Sequence, residues 1–102
     1  MANKSQWLGV VRPNRPGFLQ DITEEEKQSV ARHFEYLQKL LKEGTLIVAG
    51  RTQTDQPFGL TLFEAENEDA ARRIMANDPA VMAGTFVSEL FPYAIAVSRE
   101  FA

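Results

Sequence analysis

The chain contains no cysteine. That absence excludes disulfides, thiolate nucleophiles, thiolate zinc sites and iron–sulfur clusters held by Cys. Histidine occurs once, at His33, so a multi-histidine metal site within one chain is excluded as well. No apolar run approaches the length that spans a bilayer, and Met1-Ala2-Asn3-Lys4-Ser5-Gln6-Trp7 lacks the apolar core of a signal peptide. The cytoplasm is the default location for such a chain. Positive charge is also in short supply: 11 Lys and Arg against 14 Asp and Glu leave a net charge of -3, with both signs scattered. Phosphate binding needs clustered cations, so nucleic acid is not an expected partner, and neither is a membrane.

What is present is one domain's worth of chain, 102 residues, read as a single domain over 1–102. A domain of this size has a modest core, and association is a natural source of further burial. Gln6 to Arg12 reads as a strand, with Trp7, Leu8, Val10 and Val11 apolar on both sides of the pleat. Pro13-Asn14-Arg15-Pro16-Gly17 ends it, and Phe18 to Ile22 is a loop. Thr23-Glu24-Glu25-Glu26 is a capping box that opens a helix. Val30, Phe34, Leu37 and Leu41 form its apolar stripe, and Gly44 stops it. Thr45–Ala49 and Phe58–Ala65 read as a hairpin across a polar connection. Asn67 caps a second helix whose inner side carries Ala70, Ala71, Ile74 and Met75. Asp78-Pro79 ends that helix, and Ala80 to Gly84 is a short turn. Thr85 to Val97 reads as a long last strand, bent at Pro92. The order β-α-β-β-α-β is the ferredoxin-like arrangement of the α+β class: four antiparallel strands with both helices on one face.

Two helices cover one face only, so the other should be polar if it meets water. It is not. The last strand puts Phe86, Leu90, Ala94 and Ala96 on one side and Val87, Phe91, Tyr93, Ile95 and Val97 on the other, broken by Glu89. The hairpin strands are similarly greasy on both sides. Homodimerisation through the uncovered sheet face is the simplest way to bury it. The alternative is apolar residues scattered singly at the surface.

Four side chains are candidates for chemistry. Imidazole is suited to proton transfer near neutral pH, and His33 lies at the flank of the apolar stripe; a boundary histidine bonded to water is the competing reading. Asp78 sits at a helix C-terminus, against the preference of the dipole; an Asp-Pro turn is the competing reading. Arg12 and Arg51 each follow an apolar strand, and either could hold a carboxylate or phenolate through its planar fork, or be a solvated strand end. Phe18 and Trp7 are candidate pocket walls, although aromatics are more often core.

His33-Phe-Glu-Tyr-Leu-Gln-Lys-Leu-Leu-Lys-Glu-Gly44, Leu46-Ile-Val-Ala-Gly50 and Asn77-Asp78-Pro79-Ala-Val-Met-Ala-Gly84 resemble the YciI-like (YCII-related) proteins. The resemblance runs from Arg12-Pro13 to Pro92-Tyr93. It implies a dimeric α/β barrel and a His–Asp site matched by His33 and Asp78. It also implies cofactor-free proton transfer on a small cyclic organic molecule, of the isomerase, lyase or dehydrochlorinase kind. Ala49-Gly50-Arg51 departs from the Ala-Gly-Pro common in the family. The competing expectation is a non-catalytic dimeric module that binds a small molecule. A haem site with His33 on iron is a third, which the resemblance argues against.

Overall fold

The computed structural model describes residues 4–99. Its elements are β1 (Ser5–Pro13), α1 (Glu24–Lys42), β2 (Leu46–Arg51), β3 (Gly59–Ala65), α2 (Glu68–Ala76), a single helical turn α3 (Pro79–Met82) and β4 (Phe86–Tyr93). All strand pairs are antiparallel, in the order β2-β3-β1-β4. This is the ferredoxin-like α+β fold of the dimeric α/β-barrel proteins.

Strand alternation decides which residues meet the helices. Trp7 and Val11 of β1 point inward, with Phe63 and Ala65 of β3 beside them. They pack with Leu40 of α1, Leu46 of β2 and Ala71 and Met75 of α2 into one core. Phe63 is fully enclosed. Leu62, Leu8 and Phe91 form a cross-strand row on the opposite face, and Val10 sits between Leu60 and Glu89. The pairing of β2 with β3 skips from Leu46 to Val48, a bulge that leaves both Ile47 and Val48 exposed. Val48, Leu60, Val87, Phe91 and Tyr93 are exposed large apolar side chains of this second face.

Three sequence expectations are corrected. The buried side of α1 is not the stripe of Val30, Phe34, Leu37 and Leu41. Phe34 and Leu41 are exposed, whereas Ser29 and Leu40 are the buried residues of the helix. Two polar side chains, Ser29 and His33, face inward because each finds a partner there: Ser29 Oγ lies 2.8 Å from Thr85 Oγ1, and His33 meets Asp78. The last strand ends at Tyr93 rather than Val97. The ladder between β1 and β4 stops at the pairing of Gln6 with Tyr93 among the described residues. Finally, Ala80–Gly84 belongs partly to α3, with Asp78 as its N-cap and Pro79 in its first turn, where proline's missing N–H costs nothing. No helix among the described residues is long and apolar enough to cross a membrane.

Candidate active site

His33 is placed by α1, and α1 is held at several points. The capping box is complete: Glu26 N–H donates to Thr23 Oγ1 and Thr23 N–H donates to the Glu26 carboxylate. Arg15, from the loop after β1, adds bonds of 2.9 and 2.8 Å to the same carboxylate and 2.6 Å to Asp21. The guanidinium of Arg15, reinforced by the Thr23 N–H, holds the Glu26 carboxyl at about 2, well below its ordinary value. Further along, the Tyr36 hydroxyl donates to the Ile74 carbonyl at 2.7 Å and ties α1 to α2. Burial, followed by the nearby charges of Asp78 and Glu43, pushes that phenol up to about 12. The buried Ser29–Thr85 contact ties α1 to the start of β4.

Asp78 is only 4% exposed, and both its oxygens are engaged. Oδ1 accepts from the Ala80 N–H at 2.9 Å, and Oδ2 lies 2.5 Å from His33 Nδ1. Its place is therefore not the unfavourable helix end that the sequence suggests. It sits at the start of a new helical turn, where a carboxylate suits the free N–H groups. The ring of Phe86 packs edge-to-face against the imidazole, with centroids 5.2 Å apart. Asp78 and Phe86 thus hold the ring from two sides. Nε2, the other nitrogen, makes no hydrogen bond among the described residues and is not sealed from solvent.

His33 forms part of the wall of a cavity of about 460 Å³ between α1 and the sheet. Val11, Phe18, Val30, Leu37, Phe58 and Phe86 supply much of its apolar lining. The volume falls within the range of about 300–1,000 Å³ usual for small-molecule sites. Phe34, exposed on α1, lies at its rim. Sequence reasoning passed over Phe58 and Phe86 as site residues; Phe86 packs against His33 and Phe58 lines the same cavity.

The four candidates separate. His33 and Asp78 touch, and Arg51 lines the same cavity. Arg12 does not. Alternation along β1 turns it to the face away from the helices, where its Nε lies 3.2 Å from Glu89 and its guanidinium stacks 4.6 Å above the Phe58 ring. Phe18 lines the cavity, whereas Trp7 belongs to the core.

Fold and site together define a ferredoxin-like chain of the dimeric α/β-barrel class, with a His–Asp contact at a small apolar cavity. The chain belongs to the YCII-related family, whose domain model matches residues 9–93. Among solved structures it is similar to 5-chloro-2-hydroxyhydroquinone dehydrochlorinase (TftG) from Burkholderia phenoliruptrix, in complex with 2,5-dihydroxybenzoquinone. The two are 26% identical with a TM-score of 0.64, over 86% of this chain and 93% of that one. SnoaB, a cofactor-independent oxygenase from Streptomyces nogalater, aligns at 11% identity and a TM-score of 0.49, over 95% of this chain and 97% of that one. No curated protein matches the sequence.

Proposed function

We propose that the chain is a cofactor-free enzyme in which His33 moves a proton on a small cyclic organic molecule. The observation that carries this is the arrangement of the imidazole: Nδ1 is held by a buried carboxylate, Nε2 is left unbonded among the described residues, and the residue lines an apolar cavity. A carboxylate accepting from Nδ1–H selects the tautomer with its lone pair on Nε2. That nitrogen is then a general base for an acidic C–H or O–H of the bound ring. Asp78 stabilises the imidazolium that results without taking the proton itself. Returning the proton to another atom of the ring gives isomerisation. Loss of a leaving group with its electron pair gives elimination instead. The likeness to a dehydrochlorinase that binds a dihydroxybenzoquinone supports a ring of similar size as the substrate. A homodimer formed through the uncovered sheet face, in the cytoplasm, belongs to the same proposal. The exposed row of Val48, Leu60, Val87, Phe91 and Tyr93 supports it.

The test is turnover by His33→Ala on a panel of hydroxylated and chlorinated cyclic compounds that the natural chain converts. Loss of activity in a folded protein is expected, and unchanged activity refutes the mechanism. Compounds that bind to the natural chain and are all recovered unaltered favour a binding module instead.

A further inference from the structure

The geometry points to Arg51 as an anion-reading residue of this cavity, and to negatively charged ring compounds as the class of ligand it selects. This deepens the proton-transfer reading above and rests on its view of the cavity as a site for a ring.

Register places the residue. Arg51 lies opposite Gly59, which lies opposite Val11. Val11 belongs to the helix-facing core, so this row of the sheet forms part of the cavity floor. Gly59 keeps the floor low beside Arg51: a Cβ built there would meet Val11 Cγ2 at 3.0 Å. The backbone that carries Arg51 is held by the next residue. Thr52 N–H donates to the Phe58 carbonyl at 2.9 Å, and Thr52 Oγ1 accepts from the Phe58 N–H at 3.1 Å.

Charge then singles it out. Apart from Arg51 and His33, no described residue lining the cavity is titratable or charged. Three arginines that lie outside the cavity lining are already matched: Arg12 with Glu89, Arg15 with Asp21 and Glu26, Arg72 with Glu68. The Arg51 side chain makes no hydrogen bond or ion pair among the described residues. At the end of the edge strand β2 it also borders a shallow hollow on the other face. A planar guanidinium beside an apolar wall suits a bidentate anionic partner. The low polarity of that wall strengthens the attraction over its value in water. A carboxylate on the ring and an ionised ring oxygen share this chemistry.

The experiment uses the full chain and two probes of one shape, benzoate and neutral benzamide, with isothermal titration calorimetry at low and high salt. The natural chain should bind benzoate about tenfold more tightly, with the preference shrinking as salt rises. Arg51→Gln should bring benzoate down to the affinity of benzamide and leave benzamide unchanged. Arg51→Lys should keep part of the preference, and His33→Ala should keep it whole. 4-Nitrophenolate, which carries an ionised ring oxygen and no carboxylate, distinguishes the two anionic sources: binding as tight as benzoate's that Arg51→Gln abolishes assigns the ring oxygen, and weaker binding assigns the carboxylate. Equal binding of both probes to the natural chain overturns the anion assignment and leaves the proton-transfer reading standing. A preference that survives in Arg51→Gln and vanishes in His33→Ala assigns charge reading to the imidazole and overturns the role of Arg51. Failure of both probes to bind at millimolar concentration overturns the cavity as a ring site, and both proposals with it.

Discussion

Replacing Asp78 by asparagine separates what this side chain does for the fold from what it does for the site. Oδ1 caps α3 through Ala80 N–H, and Oδ2 meets His33 Nδ1. An amide can still offer an oxygen to Ala80, but it turns an NH2 group toward the imidazole. Nδ1 must then accept, the ring proton moves to Nε2, and the atom at the cavity loses its lone pair. Alanine removes both bonds. Loss of a cap costs about 1 kcal/mol, and loss of a buried hydrogen bond to a charged group costs about 1.5–3 kcal/mol. Asp78→Ala should therefore lose about 3 kcal/mol, and Asp78→Asn about 1 kcal/mol because the cap survives. At about 4–8 °C per kcal/mol for a domain of this size, the alanine variant should melt on the order of 15 °C lower. Thermal unfolding measures that half of the prediction. Nitrogen-15 NMR of the single imidazole measures the other half without a substrate: Nδ1–H in the natural protein, Nε2–H in Asp78→Asn. Turnover should fall by about 10³–10⁴-fold in Asp78→Asn, the size of effect seen when a comparable serine-protease triad is given the wrong tautomer. An Asn variant that melts as low as the Ala variant, or one that keeps the Nδ1–H tautomer, would refute the reasoning.

Three other outcomes are expected. The Glu26 carboxyl is held near 2 in the folded chain against an ordinary 4.5. Its contribution to stability is therefore present above about pH 4.5 and lost as pH falls toward 2. Urea midpoints measured across that window should fall less steeply in Glu26→Gln than in the natural protein. Phe63→Ala empties the one fully enclosed large side chain among the described residues and should cost about 3–5 kcal/mol by chemical denaturation; a loss below about 1 kcal/mol would place the core elsewhere. Sedimentation equilibrium should find a dimer at micromolar concentration for the natural chain and a monomer for Phe91→Lys. A natural chain that sediments as a stable monomer would remove the homodimer from the proposal.

Much of this was legible in the residues alone. The element order, the capping box at Thr23, the Gly44 stop and the greasiness of both sheet faces follow from periodicity and turn chemistry, and the structure reproduces them. The pairing of His33 with Asp78 came from a family resemblance, since 45 residues separate them and no local pattern links them. What escaped was decided by partners. An apolar stripe cannot reveal that Ser29 and His33 face inward, because each needs a group from far along the chain to make its burial tolerable. Asp-Pro reads equally well as a stop and as a start, and here it starts α3. The last strand carries a strand-like pattern past Tyr93, but among the described residues its pairing with the first strand stops at Gln6. Arg12 and Arg51 look alike in the sequence and lie on opposite sides of the sheet.

That last difference depends on the irregularity in β2. Ile47 is a supernumerary residue between two that keep step with β3. Ironed flat, the strand would run one position out of phase from there onward. Ala49 and Arg51 would turn outward, and Val48 and Gly50 would take their places above the cavity floor. Deleting Ile47 would leave the phase of Arg51 intact, whereas inserting one residue between Ala49 and Arg51 would reverse it. By absorbing one surplus residue, itself facing solvent, the bulge thus keeps the positive charge on the cavity side of the molecule.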